Sequence, residues 1–141
     1  MIPHSRPVFG QPFTDRLVQV AESGHVAMGD ETLALERDIA RRIQKEHAVA
    51  VDSGTSAITL ALRALAGAGG GNRVGIPAYT CSSVLYGVLA AGYEPVCMDC
   101  GEDLRLIPEQ ALKQAASLDA LILVHPFGMV EPMATKVWPC P

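Results

Sequence analysis

With 141 residues, 49% of them apolar, and a net charge of −4, the chain has room for one domain with a buried core. That composition is globular, not disordered, and mild acidity with scattered Lys and Arg argues against nucleic acid as the main partner. No run approaches the roughly 20 consecutive apolar residues of a membrane span. The opening Met1-Ile-Pro-His-Ser-Arg-Pro7 lacks the apolar core of a signal peptide, so a cytoplasmic location is the default expectation. Cys81, Cys97, Cys100 and Cys140 are then expected to be reduced. Cys97-Met-Asp-Cys100 stands alone, without the further ligands that zinc needs, and no metal site is expected.

Prolines and glycines punctuate residues 1–29, an N-terminal arm in which Thr14 opens a short helix over 14–22. A stronger helix starts at Asp30 or Thr32 and runs to about Glu46. Then a pattern sets in. His47-Ala-Val-Ala-Val-Asp52 reads as a buried strand, 53–66 as a helix ended by Gly67-Ala-Gly-Gly-Gly71, and 73–77 as a second strand. Thr80 caps a helix to about Ala91; 94–98 is a third strand; 108–116 is a helix with Pro108 in its first turn; 118–124 is a fourth strand. Strands alternating with helices, with apolar runs that suit burial on both faces, predict an α/β fold: a three-layer, mostly parallel sheet. After residue 133 the pattern breaks, and 134–141 form an aberrant tail with no amphipathic period.

The sharpest local signal is Asp52-Ser53-Gly54-Thr55-Ser56, where the first strand turns directly into a helix. The first N–H groups of a helix lack intrahelical partners, and the helix dipole adds partial positive charge, so a phosphate fits there. Gly54 allows close approach and Thr55 and Ser56 add hydroxyls; a plain Ser53 cap explains the same residues equally well. Two nucleotide motifs are ruled out. No lysine completes a P-loop, and the glycine run follows a helix, unlike a dinucleotide fingerprint.

The order of these segments resembles the DegT/StrS family of sugar aminotransferases, which are fold-type-I enzymes dependent on pyridoxal phosphate. The likeness covers about residues 2–133. It is carried by the opening segment, by Gly24-His-Val-Ala-Met-Gly29 with Leu35-Glu36 and Ile39-Ala40, and by Ala48-Val-Ala-Val-Asp-Ser-Gly-Thr-Ser-Ala57 with Leu60-Ala-Leu-Arg-Ala-Leu65. Val74-Gly-Ile-Pro-Ala-Tyr-Thr-Cys81, Ala91-Gly-Tyr-Glu-Pro-Val96 and Val124-His-Pro-Phe-Gly128 complete it. The resemblance implies that residues 30–133 are part of the cofactor-binding large domain and that Gly54, Thr55 and Ser56 form its phosphate cup. The family stacks an aromatic ring on the cofactor at the position of Cys81; Tyr79, two residues earlier, substitutes if the segment is extended, and is otherwise a structural tyrosine. His125 falls at the carboxyl end of a strand, where ligands bind in α/β sheets, or is a structural histidine. Gly29 lies where the family brings a loop near substrate, or is a plain turn glycine.

In the family the cofactor's acidic partner and its Schiff-base lysine both follow the His-x-Phe-Gly block, outside this sequence. Lys45, Lys113 and Lys136 match neither motif. The resemblance therefore implies no catalytic residue in this chain, weak or absent cofactor binding, and inactivity of the chain alone. For the intact relative it implies a nucleotide-linked keto sugar, an amino donor and a homodimer. Two alternatives stand beside it: a non-catalytic protein that binds phosphate or associates with a full-length subunit, and a sugar dehydratase of the same family.

Overall fold

A computed structural model describes residues 6–27, 29–65, 71–136 and 138. The opening residues 1–5, the glycine connector over 66–70 and Cys140 lie outside the described residues. The chain divides into two compact units, residues 1–50 and 51–141.

The first unit holds two helices, α1 (Gln11–Ser23) and α2 (Asp30–Arg42). Helix α1 starts three residues before the predicted Thr14, because Pro12 supplies a preset helical φ in the first turn and Gly10 serves as N-cap. Thr14 instead donates its hydroxyl to the Gln11 carbonyl at 2.9 Å. Gly24 ends α1 in the left-handed conformation at φ 75°. Helix α2 stops at Arg42, four residues short of expectation. Asp38 ties down its last turn by pairing with Arg41 and, at 2.6 Å, with Arg42. Asp30 and Glu31 at its start and Arg41 and Arg42 at its end both suit the helix dipole.

The predicted strand over 47–52 does not form. A strand needs a paired neighbour, and β propensity alone does not provide one. The Ala50 N–H is met instead by the Glu36 carboxylate, at 2.9 Å.

The second unit contains α3 (Gly54–Leu65), β1 (Arg73–Pro77), α4 (Ser82–Ala90), β2 (Glu94–Met98), α5 (Pro108–Ala115) and β3 (Ala120–Leu121). The strands form one parallel sheet in the order β2-β1-β3. Strands β1 and β2 match prediction at both ends. Pro95 is tolerated because β2, which among the described residues pairs with β1 alone, can turn the missing N–H outward. The predicted fourth strand keeps only two ladder residues, and just beyond them Ile122 still donates to Gly75 at 2.9 Å.

Period-2 alternation sorts the side chains into two cores. Val74, Ile76 and Ala120, with Ile122 and Val124, pack with Leu62 of α3 and Val84 and Val88 of α4. On the other face Met98, Leu118, Leu121 and Leu123 pack with Ala111 and Ala115 of α5, and with Trp138. The expected three layers are present: two helices, a sheet, one helix. Gly75 in the central strand keeps the second face tight, since a Cβ there would come within 2.6 Å of Leu118 and 2.8 Å of the Met98 sulfur. The start of the predicted tail is also structured. A 3-10 turn at Pro132–Thr135 buries Met133, and the Trp138 indole N–H donates to the Met133 carbonyl at 3.1 Å.

Candidate functional site

The amino end of α3 can be placed by its contacts. The Tyr93 hydroxyl, one residue before β2 begins, donates to the Leu62 carbonyl at 3.1 Å. Leu62 therefore lies at the amino edge of the sheet. Gly54 is eight residues earlier, about 12 Å along the helix axis, towards the carboxyl edge. Helix α4 runs beside α3 in the same direction: Thr59 donates to the Gly87 carbonyl at 3.1 Å and Arg63 to the Ala90 carbonyl at 2.9 Å. These partners are 28 and 27 residues apart, so the amino ends of the two helices reach the same edge.

At the start of α3, Ser53 is the cap: its carbonyl accepts the Ala57 N–H at 3.0 Å and its hydroxyl accepts the Ser56 N–H at 3.2 Å. The cap consumes one of the free amides. Among the described residues no acceptor meets the amides of Gly54 and Thr55, and apart from its chain neighbours and its own helix backbone nothing lies within 4 Å of where a Gly54 Cβ would stand. The entrance is open, with two N–H donors and the hydroxyls of Thr55 and Ser56 beside it. One group opposes an incoming anion. The exposed Asp52 carboxylate is held below its ordinary pKa of 3.8, first by the Ser56 hydroxyl and then by the Ser53 hydroxyl and nearby backbone N–H groups. The Ser53 contact is long, at 3.4 Å.

The second predicted element of the site is corrected. Thr80 does not cap α4; its hydroxyl oxygen is buried without a partner. The chain bends through Ala78–Thr80 after the Ala78 N–H bonds Met98 at 2.8 Å, and Cys81 becomes the N-cap. Because the segment is bent, the extended geometry that would put Tyr79 and Cys81 on one side is absent. Tyr79, half exposed, instead faces Phe127, with ring centroids 6.4 Å apart and planes tilted by 46°. Cys81 is exposed, and the Ser83 hydroxyl and N–H hold its thiol below the ordinary 9.0.

His125 lies four residues past β3 at the same edge and is the N-cap of a 3-10 turn at Pro126–Gly128. Phe127 takes φ 53° within that turn, a left-handed conformation that costs a β-carbon residue roughly 1–2 kcal/mol, and its ring projects from the surface next to Tyr79. The structure thus gathers Gly54, Thr55, Ser56, Tyr79, Cys81 and His125 along one edge. Gly29 is in the first unit, where it precedes α2 and accepts the Leu33 N–H at 3.1 Å; the structure gives it the role of a helix-start residue. Glu131, which sequence reasoning passed over, is the buried acidic residue nearest in sequence to this edge, at 2% exposure. Among the described residues no cluster of three metal-ligating side chains occurs, and no helix is long and apolar enough to cross a membrane.

A parallel sheet with helices on both faces and helix amino ends gathered at its carboxyl edge defines an α/β protein of the kind that takes ligands at that edge. The chain belongs to the DegT/DnrJ/EryC1/StrS aminotransferase family, which it matches over residues 8–136. Spr1654 of Streptococcus pneumoniae, assigned as a sugar aminotransferase, superposes with a TM-score of 0.83 at 27% identity over 94% of this chain. That protein is known in apo, pyridoxal phosphate and pyridoxamine phosphate forms. DesV of S. venezuelae, solved in complex with a ketimine intermediate, shares 32% identity over 86% of the chain with a TM-score of 0.74. Helicobacter pylori PseC, an aminotransferase involved in the biosynthesis of pseudoaminic acid, shares the fold at 20% identity and a TM-score of 0.80. The chain spans about a third of the length of these proteins, 33% to 36%. Pyridoxal phosphate is the cofactor of the family.

Proposed function

We propose that this chain is the phosphate-holding portion of a pyridoxal-phosphate-dependent sugar aminotransferase, one that transfers an amino group from an amino donor to a nucleotide-linked keto sugar and works as a homodimer in the cytoplasm. The observation that carries the reading is the amino end of α3, where the Gly54 and Thr55 amides meet no acceptor among the described residues and the Cβ position of Gly54 is open. The residues present fit a phosphate, and Asp52 limits how well.

In this reading the Gly54 and Thr55 amides and the Thr55 and Ser56 hydroxyls hold the phosphate, with the helix dipole adding to the attraction. Cys81 takes the place of the family's stacking aromatic, and Tyr79, turned towards Phe127, is a structural tyrosine. When bound, the cofactor would supply an electron sink for the carbon that bears the transferred nitrogen; this chain would contribute binding and orientation. Transfer also needs a lysine amine. Lys45, Lys113 and Lys136 are all exposed, and none of them is assigned that role.

Two or three charge-assisted bonds of about 1.5–3 kcal/mol each, less ordering and desolvation, leave affinity on the order of millimolar, about −4 kcal/mol. Pyridoxamine phosphate is the suitable probe, since it has no aldehyde and cannot label surface lysines. It should saturate the chain, and pyridoxamine, lacking the phosphate, should bind at least tenfold more weakly. Equal affinity for the two ligands refutes the phosphate site.

A further inference from the structure

The orientation of His125 is controlled from below. Glu131 is almost fully buried, and backbone N–H groups meet both its carboxylate oxygens: Met133 donates to Oε1 at 3.0 Å and Leu106 to Oε2 at 3.2 Å. The side chain thereby ties the turn after residue 131 to the loop closed by the Cys100–Leu106 bridge. With its side chain pinned on both oxygens, the backbone of Glu131 is fixed too. Its own N–H points at His125 and donates to Nδ1 at 2.8 Å.

A ring nitrogen that accepts a hydrogen bond carries no proton, so in the neutral ring the proton sits on Nε2. We infer that Glu131 is a positioning residue that fixes His125 as the Nε2–H tautomer, so that the histidine presents an N–H donor, not a lone pair, to an oxygen-bearing ligand at the carboxyl edge. The ligand half of this inference rests on the functional reading above; the tautomer does not. Neutral His125 in this state orients an acceptor oxygen, such as a phenolic or sugar hydroxyl oxygen, and does not remove a proton through Nε2.

The chain labelled with 15N at histidine tests this directly. At a pH where the ring is neutral, long-range proton–nitrogen correlation spectra report which ring nitrogen is protonated. One backbone hydrogen bond is expected to give Nε2–H an excess of roughly two- to tenfold over the ratio in an unstructured histidine peptide. A dominant Nδ1–H form, or the peptide's ratio, overturns the inference. In E131A, two buried N–H groups lose their acceptors, and the His125 ratio should fall towards that of the peptide. An unchanged ratio in a variant that keeps a dispersed amide spectrum overturns the positioning role. Should E131A not fold, E131Q, which keeps the volume and one acceptor, is judged by the same criterion. Failure of pyridoxamine phosphate to bind would refute the phosphate site and leave the His125 result standing.

Discussion

Replacing Gly87 by alanine probes how the amino end of α3 is held. Gly87 is buried in α4, where an added Cβ would stand 2.9 Å from Ile58 Cγ2, 3.0 Å from Ile58 Cβ and 3.2 Å from the Thr55 carbonyl oxygen. None of these atoms gives way easily. Ile58 is β-branched and stiff at χ1, and the Thr55 oxygen belongs to the backbone. Relief requires α3 and α4 to separate by a few tenths of an ångström, starting at the turn that carries Thr55. Overpacking of this kind costs about 1–3 kcal/mol, and the better helix propensity of alanine returns about 0.8–1 kcal/mol. G87A should therefore lose up to about 2 kcal/mol, read as a lowered urea midpoint with an unchanged slope. Displacement of Thr55 should also weaken pyridoxamine phosphate, by roughly two- to tenfold if one hydrogen bond is lost. A G87A protein that gains about 1 kcal/mol and binds the ligand as before would show that propensity outweighs packing here, and that the two helices do not meet as described.

The Asp52 carboxylate shares the Ser56 hydroxyl with the proposed phosphate and repels it by charge, so D52N should bind pyridoxamine phosphate severalfold more tightly, with a titration at constant ionic strength as the check. Because the Asp52 carboxyl lies below its ordinary 3.8, the stability it contributes is complete above that pH and is lost as pH falls through the lowered value. D52N should lack this increment of acid sensitivity in unfolding curves taken between about pH 2 and 4. Y93F removes the hydroxyl that meets the Leu62 carbonyl and should cost about 1–2 kcal/mol by urea unfolding. Cys81, exposed at a helix amino end with its thiol pushed down by Ser83, should be alkylated by iodoacetamide faster than Cys97, as followed by peptide mass analysis at pH 7.

The central parts of the fold were legible because both faces of the sheet are covered. Strands β1 and β2 each carry four uncharged, mostly apolar residues after a charged first one, and both match the predicted bounds. The same composition misled at 47–52, since an alternating Ala-Val run reports preference for extended backbone and says nothing about a partner. Thr80 drew the helix start away from Cys81 because hydroxyl residues favour N-caps, whereas the bend imposed by the Ala78–Met98 bond sets where α4 can begin. The helix start at Gly54 was visible in a strand-to-helix pattern, of which the helix half forms. Glu131 left no signal: a single glutamate in a segment without periodicity reads as solvated, and only the turn at Pro132–Thr135 reveals that it is buried. The pairing of Phe127 with Tyr79 was equally silent, because it depends on a left-handed residue 48 positions away along the chain.

The placement of β1 between two later strands carries a consequence for assembly. The innermost strand is made first and has no ladder until β2 arrives about 21 residues later, through the α4 crossover. Its second edge waits for β3, about 46 residues downstream of Val74. Closing the shorter loop first is entropically cheaper, so the β1–α4–β2 unit should gain hydrogen-exchange protection ahead of the β3 side during refolding. Until β3 arrives, the second edge of β1 stays unpaired and open to its own oncoming strand.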